Sequence, residues 1–454
     1  MSSSSALTYL EQNQERFQNE LIELVRIPSI SQFSSHKEEI DKAADWLANK
    51  LRSIGIHNVQ ILPTQGNSVV YGEWLHGGPF APTVLIYGHY DVQSPDPLSD
   101  WKSQPFEPVI RDDSLYARGA SDMKGQMLAS VNAAEAIIKT ENIPINIKFL
   151  LEGEEEIGSK NLSEFLREHR EMLSSTISLN TDAGGMPDAE TPAICYSLRG
   201  GASFILEVFG PDRDIHSGEF GGVIQNPIHV LSKLIAGLHD EHGHITLPGF
   251  YDRVRKIDAE EHAELVRLPF DEAFLLRHSG APSLWGEPEF IPAERIGARP
   301  TFEVVQFEAG QPKSAIPSKA TARISFRLVP DQDPEEIRQQ FQKYVEENLP
   351  PTVTWNLKFL IGNPAFIMDY KSSEVRAMGD ALQTAFGRKP IFVRGGGGIG
   401  AVLKFKQILG VDSVLTGFSL PDDNFHGPNE KLHLPTWKKG MSALVYFFHN
   451  LADQ

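Results

Sequence analysis

The chain has 454 residues, enough for about two or three domains, and its 41% hydrophobic and 22% charged residues are ordinary globular usage with a sizeable core. Lys+Arg minus Asp+Glu is 42 − 60 = −18, a surface that repels phosphate backbones and excludes nucleic acid as the expected partner. The single cysteine, Cys195, excludes an intrachain disulfide, and no apolar run approaches the ~18 residues of a membrane span.

In chain order, residues 1–5 have neither the basic nor the apolar region of a secretory signal, so a frayed start and a cytoplasmic location are expected. Leu10, Phe17, Leu21 and Leu24 recur at helical spacing and predict one amphipathic helix over residues 7–25, with a second over 38–51. Strands are expected at 59–62 and 67–71. The continuous apolar run 83–87 reads as a central strand buried on both faces, ending in Gly88-His89-Tyr90-Asp91. A helix over 123–139 is followed by a strand over 145–151 that runs into Glu152-Gly153-Glu154-Glu155-Glu156. After another helix, a strand at 177–179 leads to Asp182. This alternation predicts a three-layer α/β/α domain with parallel pairing, whose ligands gather at the carboxyl ends of the strands.

The pattern changes near residue 199. An alternating strand over 202–209, a helix over 227–238, strands at 301–305 and 320–328, a helix over 334–347 and a strand at 353–360 form a smaller α+β unit. The chain then returns to helix–strand material ending in His426. The expected organisation is a catalytic domain of residues 1–198 and 364–454, with an inserted domain of 199–363. Cys195, beside Ala193, Ile194 and Tyr196, reads as a buried strand thiol. His239, His242 and His244 read as a hydrophilic surface loop.

His89 and Asp91 fall on one side of an extended chain, as a metal-binding histidine with a carboxylate partner or as a polar strand end. Asp122 is either a helix N-cap or a carboxylate placed to bridge two ions. Glu154, Glu155 and Glu156 form an acidic helix start, or else a ligand beside a general base of raised pKa, since three adjacent carboxylates repel unless cations neutralise them. Together with Asp182 and His426, these residues offer two imidazoles, a bridging carboxylate, two further ligands and a spare glutamate. That inventory fits two divalent ions and a base.

The segments Gly88-His89-Tyr90-Asp91-Val92, Gly119-Ala120-Ser121-Asp122-Met123-Lys124-Gly125, Glu152 to Ser159, Asn180-Thr181-Asp182 and His426-Gly427-Pro428-Asn429-Glu430, in this order, resemble the M20 family of dinuclear-zinc metallopeptidases, nearest its carnosinase-like dipeptidases. The resemblance implies one ion held by His89, Asp122 and Asp182 and a second by Asp122, Glu156 and His426. Asp91 would orient His89, and Glu155 would be the general base acting on a metal-bridging water. The donor set suits zinc first, with manganese or cobalt as alternatives. In the inserted domain, which the resemblance makes a lid and dimerisation domain, Asp214-Ile215-His216-Ser217-Gly218 resembles the segment whose histidine reaches the partner subunit's site and stabilises the oxyanion. Ser314 and Arg327, in Ser314-Ala315-Ile316-Pro317 and Ser325-Phe326-Arg327-Leu328-Val329-Pro330, resemble the segments that hold the substrate's carboxylate.

Two places depart from the family pattern. Gly398 stands where a serine is usual, leaving backbone N–H groups to contact substrate, and the stretch before Lys313 is short and glycine-poor. The resemblance implies a homodimer that hydrolyses dipeptides or short peptides, Asp182 pointing to dipeptidase chemistry where glutamate goes with carboxypeptidases and deacylases. An N-acyl-amino-acid deacylase is the second reading. A non-catalytic binding protein fits poorly, since every ligand and Glu155 are present.

Overall fold

The computed structural model describes residues 5–183 and 185–454, so the expected frayed start at 1–4 lies outside the described residues. The chain divides into two compact units, one of Met1–Tyr196, Met368–Val393 and Ile399–Gln454, the other of Ser197–Ile367 with Arg394–Gly398. Compared with the expected boundaries, the insertion shifts by a few residues. The glycine-rich Arg394–Gly398 also groups with the inserted unit.

In the first unit the strand order is His57–Leu62, Val69–Trp74, Asn146–Glu152, Thr83–His89, Ile177–Asn180, Ser413–Thr416, Ala193–Leu198. Thr83–His89 pairs in parallel with both neighbours, and Ser413–Thr416 is parallel to Ile177–Asn180. All seven residues of Asn146–Glu152 are buried, which explains why that strand shows no polar alternation. Cys195 is likewise fully buried.

Successive residues of Thr83–His89 show the layering. The Tyr87 ring packs against Phe405, with centroids 5.4 Å apart, whereas a Cβ on Gly88 would lie 2.7 Å from Met127. Because neighbouring residues point to opposite faces, the group containing Phe405–Leu409 and Leu162–Glu168 covers one face and the helix Gly125–Thr140 the other. Leu434–Ala452 packs on Gly125–Thr140, and Ser373–Phe386 packs on Leu434–Ala452. This is the expected α/β/α sandwich.

Two elements differ from expectation. The first helix is split at Asn13 into Ser5–Gln12 and Gln14–Val25, because the Asn13 side chain donates to the Tyr9 carbonyl at 2.9 Å and competes with the helical backbone. The helix expected from residue 123 begins at Gly125, after an irregular turn, Ala120–Lys124, in which Asp122 and Met123 are non-helical.

The inserted unit is built on an antiparallel sheet ordered Thr301–Ala309, Lys319–Leu328, Gly200–Phe209, Thr354–Asn363. Gly200–Phe209 alternates between buried and half-buried positions along its length. Phe204 and Phe326 from the sheet meet Phe341 of the helix Pro334–Asn348 at centroid distances of 5.0 and 5.3 Å, forming the aromatic centre of this core.

Candidate metal centre

His89 is the last residue of its strand and pairs opposite Glu152, so two strands deliver their polar ends side by side. Glu155 and Glu156 lie in the short turn after Asn146–Glu152, and Asp182 follows Ile177–Asn180. Asp122 comes from the irregular turn and His426 from the loop after Ser413–Thr416. Asp122 makes no helix-capping hydrogen bond. Its two oxygens face different histidines: Oδ1 is 3.2 Å from His89 Nε2, and Oδ2 is 3.0 Å from His426 Nε2. Asp182 Oδ2 is 3.6 Å from His89 Nε2, and Glu156 Oε2 is 3.2 Å from His426 Nε2. Two triads result, His89–Asp122–Asp182 and Asp122–Glu156–His426, each with its donor atoms within 4.8 Å of one another. They share Asp122.

The residues fit divalent cations. His89 is fully buried, and its Nε2, though close to two carboxylates, makes no hydrogen bond of good geometry among the described residues, so its lone pair suits a cation. Burial disfavours charge on Asp122, but His426 and His89 hold its carboxyl well below the usual range. Burial and then the Asp122 charge push Asp182 up to about 6. Hydrogen bonds to Asp122 and Glu156 raise His426 to about 10. Glu155 is pushed up to about 8, chiefly by burial, with His89 opposing and Asp182, Glu156 and Glu152 adding to it. Carboxylates crowded this closely hold protons until cations take their place.

Asp91 meets His89 Nδ1 twice, as its expected orienting role requires. Its carboxylate is 3.5 Å from His89 Nδ1, while its own backbone carbonyl is nearer, at 3.0 Å. The carboxylate also accepts from the backbone N–H groups of Glu155 at 3.2 Å and Glu156 at 3.1 Å, and so fixes the turn that carries both glutamates. Gln93, not singled out in the sequence, donates to Glu156 Oε2 at 2.9 Å. Glu430, 312 residues from its partner Arg118, was visible only as the end of a motif; its carboxylate receives the Arg118 guanidinium at 2.7 Å.

The remaining site residues lie in the inserted unit. His216 is exposed and pairs with Ala315 in a short antiparallel bridge, and the Ser217 N–H donates to the Ser314 carbonyl at 3.2 Å, so His216 and Ser314 come together. Arg327 and Arg199 share a cavity of about 330 Å³ with Glu303 and Phe302. Burial and the nearby Arg327 charge lower Arg199 to about 10. Arg199 also donates from Nε to the Gly396 carbonyl at 2.9 Å. A Cβ on Gly398 would lie 2.8 Å from the Arg199 carbonyl oxygen, which explains why this loop carries glycine where a serine is usual. The three histidines after residue 238 assemble no metal group among the described residues. His239 packs on Trp285 and Phe302, against the expectation of a solvated loop, while His244 pairs with Asp240 and Glu289.

Paired triads sharing an aspartate at the strand ends of an α/β sheet define a hydrolase of the dinuclear-metal class. Residues 85–450 match peptidase family M20/M25/M40, and the chain belongs to this family. It is similar to human Beta-Ala-His dipeptidase, 29% identical with 98% of this chain and 92% of the relative covered. It is also similar to the Cys-Gly metallodipeptidase DUG1 of Candida albicans, 29% identical with 97% and 95% covered. Among solved structures, the M20 family metallo-carboxypeptidase Sso-CP2 from Sulfolobus solfataricus superposes with a TM-score of 0.85 at 29% identity, covering 96% of this chain and 99% of that one. Human carnosine dipeptidase 1 superposes with a TM-score of 0.81 at 27% identity, covering 99% and 98%.

Proposed function

We propose that the chain is a metal-dependent dipeptidase, with His89, Asp122 and Asp182 holding one divalent ion and Asp122, Glu156 and His426 the other. The observation that carries this reading is the sharing of Asp122 between two triads beside a glutamate, Glu155, whose carboxyl has no hydrogen bond among the described residues. Zinc is the proposed ion; manganese and cobalt suit the same oxygen and imidazole donors. When bound, the two ions supply Lewis acidity toward the substrate carbonyl and toward water.

The chain's own groups do the rest. Glu155 takes a proton from the attacking water and returns it to the leaving amine nitrogen, a task for which a carboxylate of raised pKa is suited. Arg327 holds the substrate carboxylate in a bidentate fork, with Ser314 and the backbone of the Gly398 loop lining that side. His216, supplied by the partner in a homodimer formed through the inserted unit, donates to the oxygen on which charge builds. The first unit is thus the catalytic domain and the second the lid. A reducing cytoplasm suits the single cysteine.

The test is hydrolysis of three substrate sets by protein loaded with zinc, manganese or cobalt: dipeptides, N-acyl amino acids, and peptides of four or more residues. Rapid release of free amino acids from dipeptides is expected. Cleavage of N-acyl amino acids alone would make the chain a deacylase, and stepwise trimming of long peptides from the carboxyl end would place it with the carboxypeptidase neighbour.

A further inference from the structure

Glu430 has no side-chain exposure, and every group its carboxylate meets is a donor. Oε1 accepts from the backbone N–H groups of Ser121 and Asp122, both at 3.0 Å. Oε2 accepts from the Gly119 N–H at 2.9 Å and Arg118 Nη1 at 2.7 Å. Three backbone N–H groups of one short turn, those of Gly119, Ser121 and Asp122, thus point at one carboxylate, as they would around a bound anion. The four donors fill the acceptor capacity of both carboxyl oxygens.

The same ion pair reaches the other histidine. Arg118 Nη2 donates to the carbonyls of His426 at 3.0 Å and Gly427 at 3.1 Å. His426 itself has a left-handed φ of 58°, a conformation that a non-glycine residue keeps only when its surroundings hold it there. A second link, Ser121 Oγ to Asp423 Oδ2 at 2.9 Å, ties the same two loops.

We propose that Glu430 is a positioning residue for the metal centre: by holding the backbone N–H of Asp122, it sets the two Asp122 oxygens against His89 and His426. The inference rests on the reading of Asp122 as the shared ligand. A buried ion pair that only stabilises the fold would need Arg118 and would be indifferent to the Asp122 backbone. Groups that orient a ligand show themselves in metal affinity when they are removed.

The experiment titrates metal-free protein with Co²⁺, following the visible absorption of the bound ion, alongside thermal unfolding without metal. The variants are Glu430→Gln, Glu430→Asp, Arg118→Lys and Glu135→Gln, the last removing a buried charge from a separate ion-pair network of the same unit. Wild type is expected to take up two equivalents. Glu430→Gln and the charge-preserving but shorter Glu430→Asp should weaken cobalt binding about 10- to 100-fold and alter its absorption bands. Glu135→Gln should lose stability while keeping the wild-type affinity and spectrum. Arg118→Lys, which also loosens the hold on the His426 carbonyl, should weaken cobalt binding as well. Wild-type cobalt affinity and bands in both Glu430 variants would overturn the proposal, as would a Glu135→Gln defect in cobalt binding as large as theirs. Wild-type protein that takes up no cobalt would remove the two-ion reading itself and this inference with it.

Discussion

At the scale of single residues, Glu155 is the group on which the proposed chemistry turns. Its carboxyl sits at about 8 because it is buried among Asp182, Glu156 and Glu152, and neighbouring cations would lower that value toward the working range. Glu155→Gln keeps the shape and removes the proton acceptor without touching either triad. The variant should bind two divalent ions as wild type does and lose turnover by about 100- to 10,000-fold, the range expected of a general base. Metal content by elemental analysis and dipeptide turnover check it together; unchanged turnover would take Glu155 out of the base role. The five residues of the two triads were legible because each is a polar residue placed beside an apolar strand or in a glycine-rich turn, in an order that resembles a family. Asp91 was legible as a neighbour of His89, but its hold on the turn of Glu155 and Glu156 was not. The distinction between its carboxylate and its carbonyl depends on the turn at Glu155–Ile157, which no local pattern encodes.

At the scale of elements, Gly125–Thr140 carries an almost wholly buried face into the first unit, and with it the buried carboxylate of Glu135. Lys50 Nζ lies 2.7 Å from Glu135, Arg16 Nη2 2.5 Å, and the Tyr9 hydroxyl donates to it at 2.8 Å. Burial alone would raise this carboxyl, but Lys50, Arg16 and Tyr9 hold it below its ordinary value of 4.5. A carboxyl depressed in the folded state contributes stability that is complete above the unfolded value and is lost as pH falls through the folded one. Glu135→Gln should therefore cost about 3 kcal/mol at pH 7.5, the low end for a broken buried pair, because Lys50 and Arg16 both keep Glu20. The penalty should shrink steadily below about pH 4.5, where wild type protonates and resembles the variant. Thermal unfolding of both proteins between pH 3.5 and 7.5 tests this, and a penalty independent of pH would contradict it. The helix itself was legible from its apolar run; its start at Gly125 was not. A Cβ at Gly125 would stand 2.2 Å from the Ala120 carbonyl oxygen, so the preceding turn closes on this position in a way that periodicity does not record.

At the scale of the whole molecule, the insertion was legible because the hydrophobic period changes from buried parallel runs to strict alternation near Gly200. That Arg394–Gly398 groups with the inserted unit was not legible, since the bond that ties it there joins Arg199 to Gly396 across 197 residues of sequence. The proposed role of His216 reaches furthest beyond a single chain. His216 is exposed at the start of a four-residue helix, and its ring accepts only the Gly218 N–H, at 3.1 Å, which leaves its other nitrogen available to a substrate oxygen. If it serves the partner's site, Glu155→Gln and His216→Ala are defects in different halves of one active site. In a twofold dimer, each mixed pair of subunits then contains one complete site, made of the Glu155 of one chain and the His216 of the other. Subunits exchanged at random give mixed pairs half the time, so two nearly inactive proteins combined in equal amounts should recover about a quarter of wild-type turnover. Each variant alone should stay near background, and light scattering should report a dimer throughout. A mixture no more active than its components, under conditions where labelled subunits demonstrably exchange, would place His216 in its own chain's site or outside catalysis altogether.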